Sequence, residues 1–341
     1  MVINGSNFGI VTADRTGTGR LNDLWEHFNN GVLTNDPICS SANTSAWSLA
    51  TDNARVVGNA YAKRINPNPG GSPTSNDAGL NCGYTADVNG TLFVSYWTKV
   101  PATVTSGKNM RIRFNQASFE DFWTSTGSYS GSTADFNLRA ASDTLIGSTG
   151  SQNFTKYTSG AQFTADQWTR VDMLFTGTDV SANLADAVSA ASTTNSQQAW
   201  LIGKNGNNPV WSYRWALPVL NNVLVNIGAG KDNRHALNIV DLPASDYYGY
   251  DDVYVSFTQA RVELCDSATW STRTHCELQI PVTWTDTGSS IYLNQGSFAS
   301  GSTAYLYVVD KNGVPSAGYP ITFATQADTT SPAAPTGLAV N

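Results

Sequence analysis

Leu92-Phe93-Val94-Ser95-Tyr96-Trp97-Thr98-Lys99-Val100 alternates with a period of two: Leu92, Val94 and Tyr96 fall on one side of an extended chain, and Phe93, Ser95, Trp97 and Lys99 on the other. Met110-Arg111-Ile112-Arg113-Phe114-Asn115 repeats the split, with Met110, Ile112 and Phe114 set against Arg111, Arg113 and Asn115. Such alternation marks strands with one buried face. Placed side by side in one sheet, the two segments predict an outer face with an indole, an ammonium, two guanidiniums and an amide. An indole stacks on the C–H face of a sugar ring, and a guanidinium fork matches a carboxylate or sulfate. Trp97, Lys99, Arg111, Arg113 and Asn115 are therefore candidate glycan contacts. Trp123 and Tyr129, beside and within the Ser/Thr/Gly-rich segment 124–134, are expected to wall the same groove.

The same short alternating segments, bounded by Gly, Asn, Ser and Asp, recur at 168–176, 199–203, 210–216, 222–229, 251–257, 259–264, 290–293 and 303–310. The fold class they predict is all-β, sheet packed on sheet. A helical turn or two is expected where Leu21, Leu24, Trp25 and Phe28 take helical spacing before Gly31, and a second where Asn183 to Ala191 is rich in Ala. A boundary is expected near Thr258: a large jelly-roll sandwich over 1–257, and a compact sandwich of about seven short strands over 258–326. Asp310-Lys311-Asn312-Gly313 is a hairpin signal between Tyr305–Val309 and Pro320–Phe323. Residues 327–341 read as a Pro-rich linker, expected to dock on a sheet edge of its own or an identical neighbouring chain.

At 341 residues the chain is long enough for two folded units and a tail. Only 13% of its residues are Asp, Glu, Lys or Arg, so solubility rests on Ser, Thr, Asn and Gly, as in secreted and surface β proteins. A net charge of -7 argues against general nucleic-acid binding, which needs a basic footprint. No apolar run is long enough for a membrane span. Met1 to Gly9 lacks the basic and apolar regions of a signal peptide, which leaves open a leader replaced by Met1 or exit by another route, such as lysis in a virion. Cys39, Cys82, Cys265 and Cys276 allow three pairings; pairing within each region is the economical one, and it predicts two disulfides and an oxidising compartment.

Tyr248-Gly249-Tyr250-Asp251-Asp252-Val253-Tyr254-Val255-Ser256 resembles the closing strand of concanavalin-like jelly rolls, the superfamily of laminin-G-type domains, many carbohydrate-binding modules and several polysaccharide lyases and glucanases. Gln167-Trp168-Thr169-Arg170-Val171-Asp172 resembles the strand those domains place before the convex sheet. The stretch from Ala260-Arg261-Val262-Glu263 is similar to immunoglobulin-like repeats, and Asp328 to Leu338 to the entry of fibronectin type III repeats. The resemblance implies carbohydrate recognition. It does not extend to the Glu-x-Asp-x-x-Glu strand of the glucanases or the Arg-x-Glu-x-Arg strand of the alginate-lyase type, neither of which this chain carries cleanly. In the resembled group an Asp of the closing strand often binds structural calcium, so Asp251 and Asp252 are candidate ligands, with Asn4, Asp14 and Asp52 as co-ligands. The alternative is that a carboxylate buried there is hydrogen-bonded or paired.

Catalysis is harder to place. Elimination from a uronate needs a carboxylate neutraliser and a base, and His235, Arg234, Tyr213 and Arg214 are the candidates if they face the groove. Glu120 and Asp121 are adjacent in a strand and so point to opposite faces, which suits a partner for Arg111 or Arg113 better than a glycosidase pair. His27 and His275 read as structural. Three functions follow in order: a surface or secreted glycan-binding protein, a jelly-roll polysaccharide lyase, and a structural subunit of an extracellular filament or virion.

Overall fold

The computed structural model describes 1–4, 24–26, 28–29, 47–65, 80–83, 91–99, 101, 107–114, 120–126, 136–141, 154–156, 166–176, 179–184, 211–214, 223–227, 247–256, 258 and 260–324. Among these the chain is all-β, with one 3-10 turn at Trp270–Thr272 and no α-helix.

An eight-stranded antiparallel sheet runs β13 (Trp211–Arg214), β12 (Asp179–Leu184), β11 (Trp168–Thr176), β6 (Thr91–Lys99), β15 (Tyr247–Ser256), β4 (Tyr61–Ile65), β3 (Trp47–Ala50), with β2 (Leu24–Glu26) also on β15. A six-stranded antiparallel sheet runs β10 (Phe154–Lys156), β9 (Phe136–Ala141), β8 (Glu120–Thr126), β7 (Gly107–Phe114), β14 (Val223–Ile227), β5 (Leu80–Gly83). The chain passes between the two sheets after β4, β5, β6, β10, β13 and β14, so consecutive strands repeatedly fall in different sheets.

The third sheet runs β1 (Val2–Asn4), β18 (Gly288–Tyr292), β17 (Cys276–Thr285), β16 (Arg261–Cys265), β19 (Thr303–Val309), β20 (Tyr319–Thr322). The C-terminal stretch thus supplies five strands where about seven were expected, and the sixth comes from the N-terminus, Val2 opposite Ser290. Its core includes Val262, Leu264, Trp284, Ile291, Leu306 and Val308 from its strands, with Phe323 just after β20. The predicted hairpin at Asp310 forms around that side chain: Oδ1 accepts from the amides of Asn312 and Val314, and Gly313 takes φ 81°. Cys265 and Cys276 are directly opposed on β16 and β17 and are joined, as expected. Cys82 lies on β5; Cys39 lies outside the described residues.

The first helix expectation fails, and the second falls mostly on residues 185–191, outside the described residues. Leu24–Glu26 is a strand paired with Val253–Val255, and Asn183 and Leu184 end β12. The first has a clear cause: β4 pairs with β15 only from Tyr247 to Tyr250, and the stretch of β15 that follows gains β2 as its neighbour. Backbone pairing outweighs a short helical pattern.

Candidate functional site

Cross-strand register carries the polar half of the β7 alternation across the whole six-stranded sheet. Asn81, Asn226, Arg111, Trp123, Arg139 and Thr155 are successive Cα partners from β5 to β10. Residues directly opposed in a sheet share a face. The neighbouring positions on that face put Arg113 opposite Asp121, and Ser125 opposite Asn137. Intervening rows are apolar: Cys82, Val225, Ile112, Phe122, Ala140 and Phe154 are likewise successive partners. By register, one face therefore carries the Asn, Arg and Trp positions and the other the apolar ones. Three Arg positions against one Asp make this face basic within an acidic chain.

Arg111, Arg113 and Trp123 are thus brought onto one face, as expected, and Asp121 stands opposite Arg113. Asn115 and Tyr129 lie outside the described residues. Asn81, Asn226 and Arg139 were missed. The signal existed for Arg139, since Phe136 and Leu138 alternate with Asn137 and Arg139.

Trp97 and Lys99 do not belong to this face, which corrects the expected single groove. β6 pairs with β11 and β15 in the other sheet, and no register joins it to β7. The outer side of β6 is also largely covered. The third sheet packs there, with Phe93 and Tyr254 against Leu278 and Ile280. Trp97 is 4% exposed, beneath the guanidinium of Arg55 at 4.6 Å and beside the His275 ring at 5.6 Å.

Arg55 is the hub of that contact. It pairs with Glu277 at 2.5 Å and with Asp252, and its Nε lies 3.6 Å from Asp251. Both adjacent aspartates reach one cation because β15 bulges between Asp251 and Tyr254 and Asp252 takes φ 45°. The proposed calcium ligands Asp251 and Asp252 are therefore each engaged by a guanidinium, the pairing alternative raised from the sequence. Co-ligand candidate Asp52 pairs with Lys63, and Asn4 lies on β1 in the third sheet. Burial alone would push the Glu277 carboxyl up; Arg55, His275 and the Ser297 amide together outweigh it and hold the carboxyl at about 2. Asp251 goes the other way, raised by burial and then by Asp252, with Arg55 offsetting only part. His275 is structural, as expected: its Nε2 lies 3.1 Å from Glu277 and 2.9 Å from Ser297 Oγ.

A second buried cation locks the same interface. Arg170 is 1% exposed; it makes two bonds to Asp172 at 3.0 Å and two to Glu263 at 3.0 and 3.1 Å. Burial would raise Glu263, but the guanidiniums of Arg170, Arg261 and Arg273 hold it well below the usual carboxylate range.

Of the catalytic candidates, two fall on described strands. Tyr213 and Arg214 lie on β13 at the edge of the eight-stranded sheet, not in the sheet of Arg111, and His235 and Arg234 lie outside the described residues. Among the described residues, the one cluster of His, Cys, Asp or Glu close enough for a metal is Glu263, Cys265 and Cys276, and its cysteines are consumed by the disulfide. No helix of the described residues is long and apolar enough to cross a membrane.

No family model matches the chain, and no curated protein does. Among solved structures it is similar to alginate lyase Aly36B, at 9% identity and TM-score 0.43, covering 69% of this chain and 96% of that one. An endo-β-1,4-glucuronan lyase from the fungus Trichoderma reesei gives 11% identity and TM-score 0.42, over 68% of this chain and 94% of that one. Domain 4 of AbnA, an extracellular arabinanase from Geobacillus stearothermophilus, gives 14% identity and TM-score 0.33, over 72% and 85%.

Proposed function

We propose that this is an extracellular or surface glycan-binding protein that holds a polysaccharide on the polar face of its six-stranded sheet. The observation that carries the reading is the row Asn81–Asn226–Arg111–Trp123–Arg139–Thr155, which spans every strand of that sheet. An aromatic position flanked by two Arg positions suits a sugar chain bearing carboxylates or sulfates, stacked on the ring and clamped at its charges. The third sheet, read as an immunoglobulin-like spacer, is fastened to the other side of the sandwich by Arg55 and Arg170, so it orients the binding face and does not occlude it. The Cys265–Cys276 disulfide supports an oxidising compartment.

Affinity electrophoresis in gels containing alginate or polygalacturonate tests the reading. Retardation is expected, weakening as salt rises and falling about tenfold for Arg111→Ala or Trp123→Ala. Equal mobility of wild type and both variants in every gel overturns it. If the ultraviolet absorbance of an unsaturated uronate grows during incubation, the bound glycan is also cut, and the lyase reading replaces simple binding.

A further inference from the structure

The outer face of the eight-stranded sheet is not wholly covered. One register row beyond Trp97 and Arg170, the positions Ser48, Lys63, Gly249, Lys99 and Trp168 are successive partners across β3, β4, β15, β6 and β11. Tyr247 and Tyr61 are close by: Tyr61 meets the Trp168 ring edge-on at 5.2 Å and Tyr247 at 6.1 Å. Lys63, Lys99, Trp168 and Tyr247 are each half-buried, so the group opens to solvent.

The rings are fixed. Trp168 Nε1 donates to the Asn53 carbonyl at 3.0 Å, and the Tyr61 hydroxyl donates to the Asp52 carbonyl at 3.0 Å. Gly249 lets the indole lie against the strand: a Cβ there would stand 2.7 Å from Trp168 Cη2. Two ammoniums flank the rings. Lys63 Nζ sits 4.2 Å from the centre of the Tyr247 ring, and Lys99 Nζ lies 3.3 Å from the Tyr247 hydroxyl. Among the described residues, no carboxylate lies within ion-pair distance of Lys99, and Lys63 has only the 60% exposed Asp52 at 3.4 Å. An exposed pair of that kind is readily exchanged for a ligand's anion.

We propose that this platform is a second binding site, separate from the six-stranded face, and that it takes a sugar ring bearing a carboxylate or a sulfate. The ring stacks on Trp168 and Tyr247 while the anion sits between Lys63 and Lys99. The proposal stands on residues of the other sheet, so it does not depend on the function assigned to Arg111 and Trp123.

The test is titration calorimetry with oligogalacturonate and a heparin oligosaccharide as the two anionic probes and cellohexaose as the neutral one. In the variant Arg111→Ala/Arg139→Ala, at least one anionic probe should still bind at one site per chain. Adding Lys63→Gln and Lys99→Gln should weaken that remaining binding about tenfold or more, and cellohexaose should not compete. The probe that survives identifies the anion as carboxylate or sulfate. Acetylation of wild-type protein gives a readout without variants: Lys63 and Lys99 should be protected by the probe. The proposal is overturned if neither anionic probe binds wild type, if binding vanishes in the double arginine variant, or if it is indifferent to the two lysines and leaves them unprotected. Loss confined to the lysine variants, with the arginine variant unchanged, would keep this site and remove the one on the six-stranded sheet.

Discussion

Trp97 and Trp123 sit in strands with the same kind of alternation, and each lies on the polar half of its strand, yet the first is roofed by protein and the second lies on the face assigned to the glycan. On the eight-stranded sheet the polar half of β6 and β11 serves as an interior: Arg170, Asp172, Glu263, Arg55, Asp251 and Glu277 pair with one another beneath the third sheet. On the six-stranded sheet the corresponding rows hold three Arg positions and one Asp. On the covered side each of these cations meets carboxyls of the same chain, which fits an internal interface; an excess of cations over acids fits a ligand that brings its own charge. Period-two alternation tells a buried face from a polar one; it does not tell whether another part of the chain will cover the polar one.

That contrast is sharpened most by cutting into the covered side. Arg170→Ala leaves Glu263 and Asp172 buried without their shared cation and should destabilise by about 3–5 kcal/mol, read from urea unfolding. An unchanged midpoint would show that the third sheet does not rest on Arg170. Gly249→Ala should destabilise by about 1–3 kcal/mol because the new methyl meets Trp168. On the six-stranded sheet, Arg139→Ala should change the unfolding free energy by no more than about 0.5 kcal/mol while weakening glycan retardation severalfold. A large loss of stability there would mean the row is structural.

Acid gives the smallest and most composite effect. Glu277 and Glu263 titrate below their unfolded values, so the stability they add is present above about pH 4.5 and is lost as pH falls through their folded values, near 2 for Glu277. Asp251, raised by burial, has the opposite sign: its contribution is present below its unfolded value and is lost as pH rises through the folded one, so it offsets part of this. With two carboxyls against one, the melting temperature should drop between pH 5 and pH 2.5, and less steeply in Arg55→Met/Glu277→Gln. A flat profile over that window contradicts the pairing.

Much of the fold was legible in the sequence. The predicted 168–176 segment is β11 residue for residue, the Asp310 hairpin forms as read, and Arg111, Arg113 and Trp123 share a face. Such features are local, resting on alternation and turn chemistry within a few residues. What escaped was long-range. Lys99 and Arg111 are 12 positions apart in sequence yet belong to different sheets, because the chain changes sheets between β6 and β7. Arg55 had no motif to announce it; its partners Asp251 and Glu277 are about 200 residues away, and only the assembled interface joins them. Asp251 and Asp252 are neighbours on a strand yet reach the same guanidinium, because of the bulge on β15, which alternation alone does not reveal.

Oxidative footprinting of the tryptophans, with and without polygalacturonate, tests the central distinction most directly. The account predicts that Trp97 resists modification in both states, and that Trp123 is modified in the free protein and protected when the polysaccharide is bound. Rapid modification of Trp97 that the polysaccharide suppresses, with Trp123 unresponsive, would contradict it and return the binding face to the eight-stranded sheet.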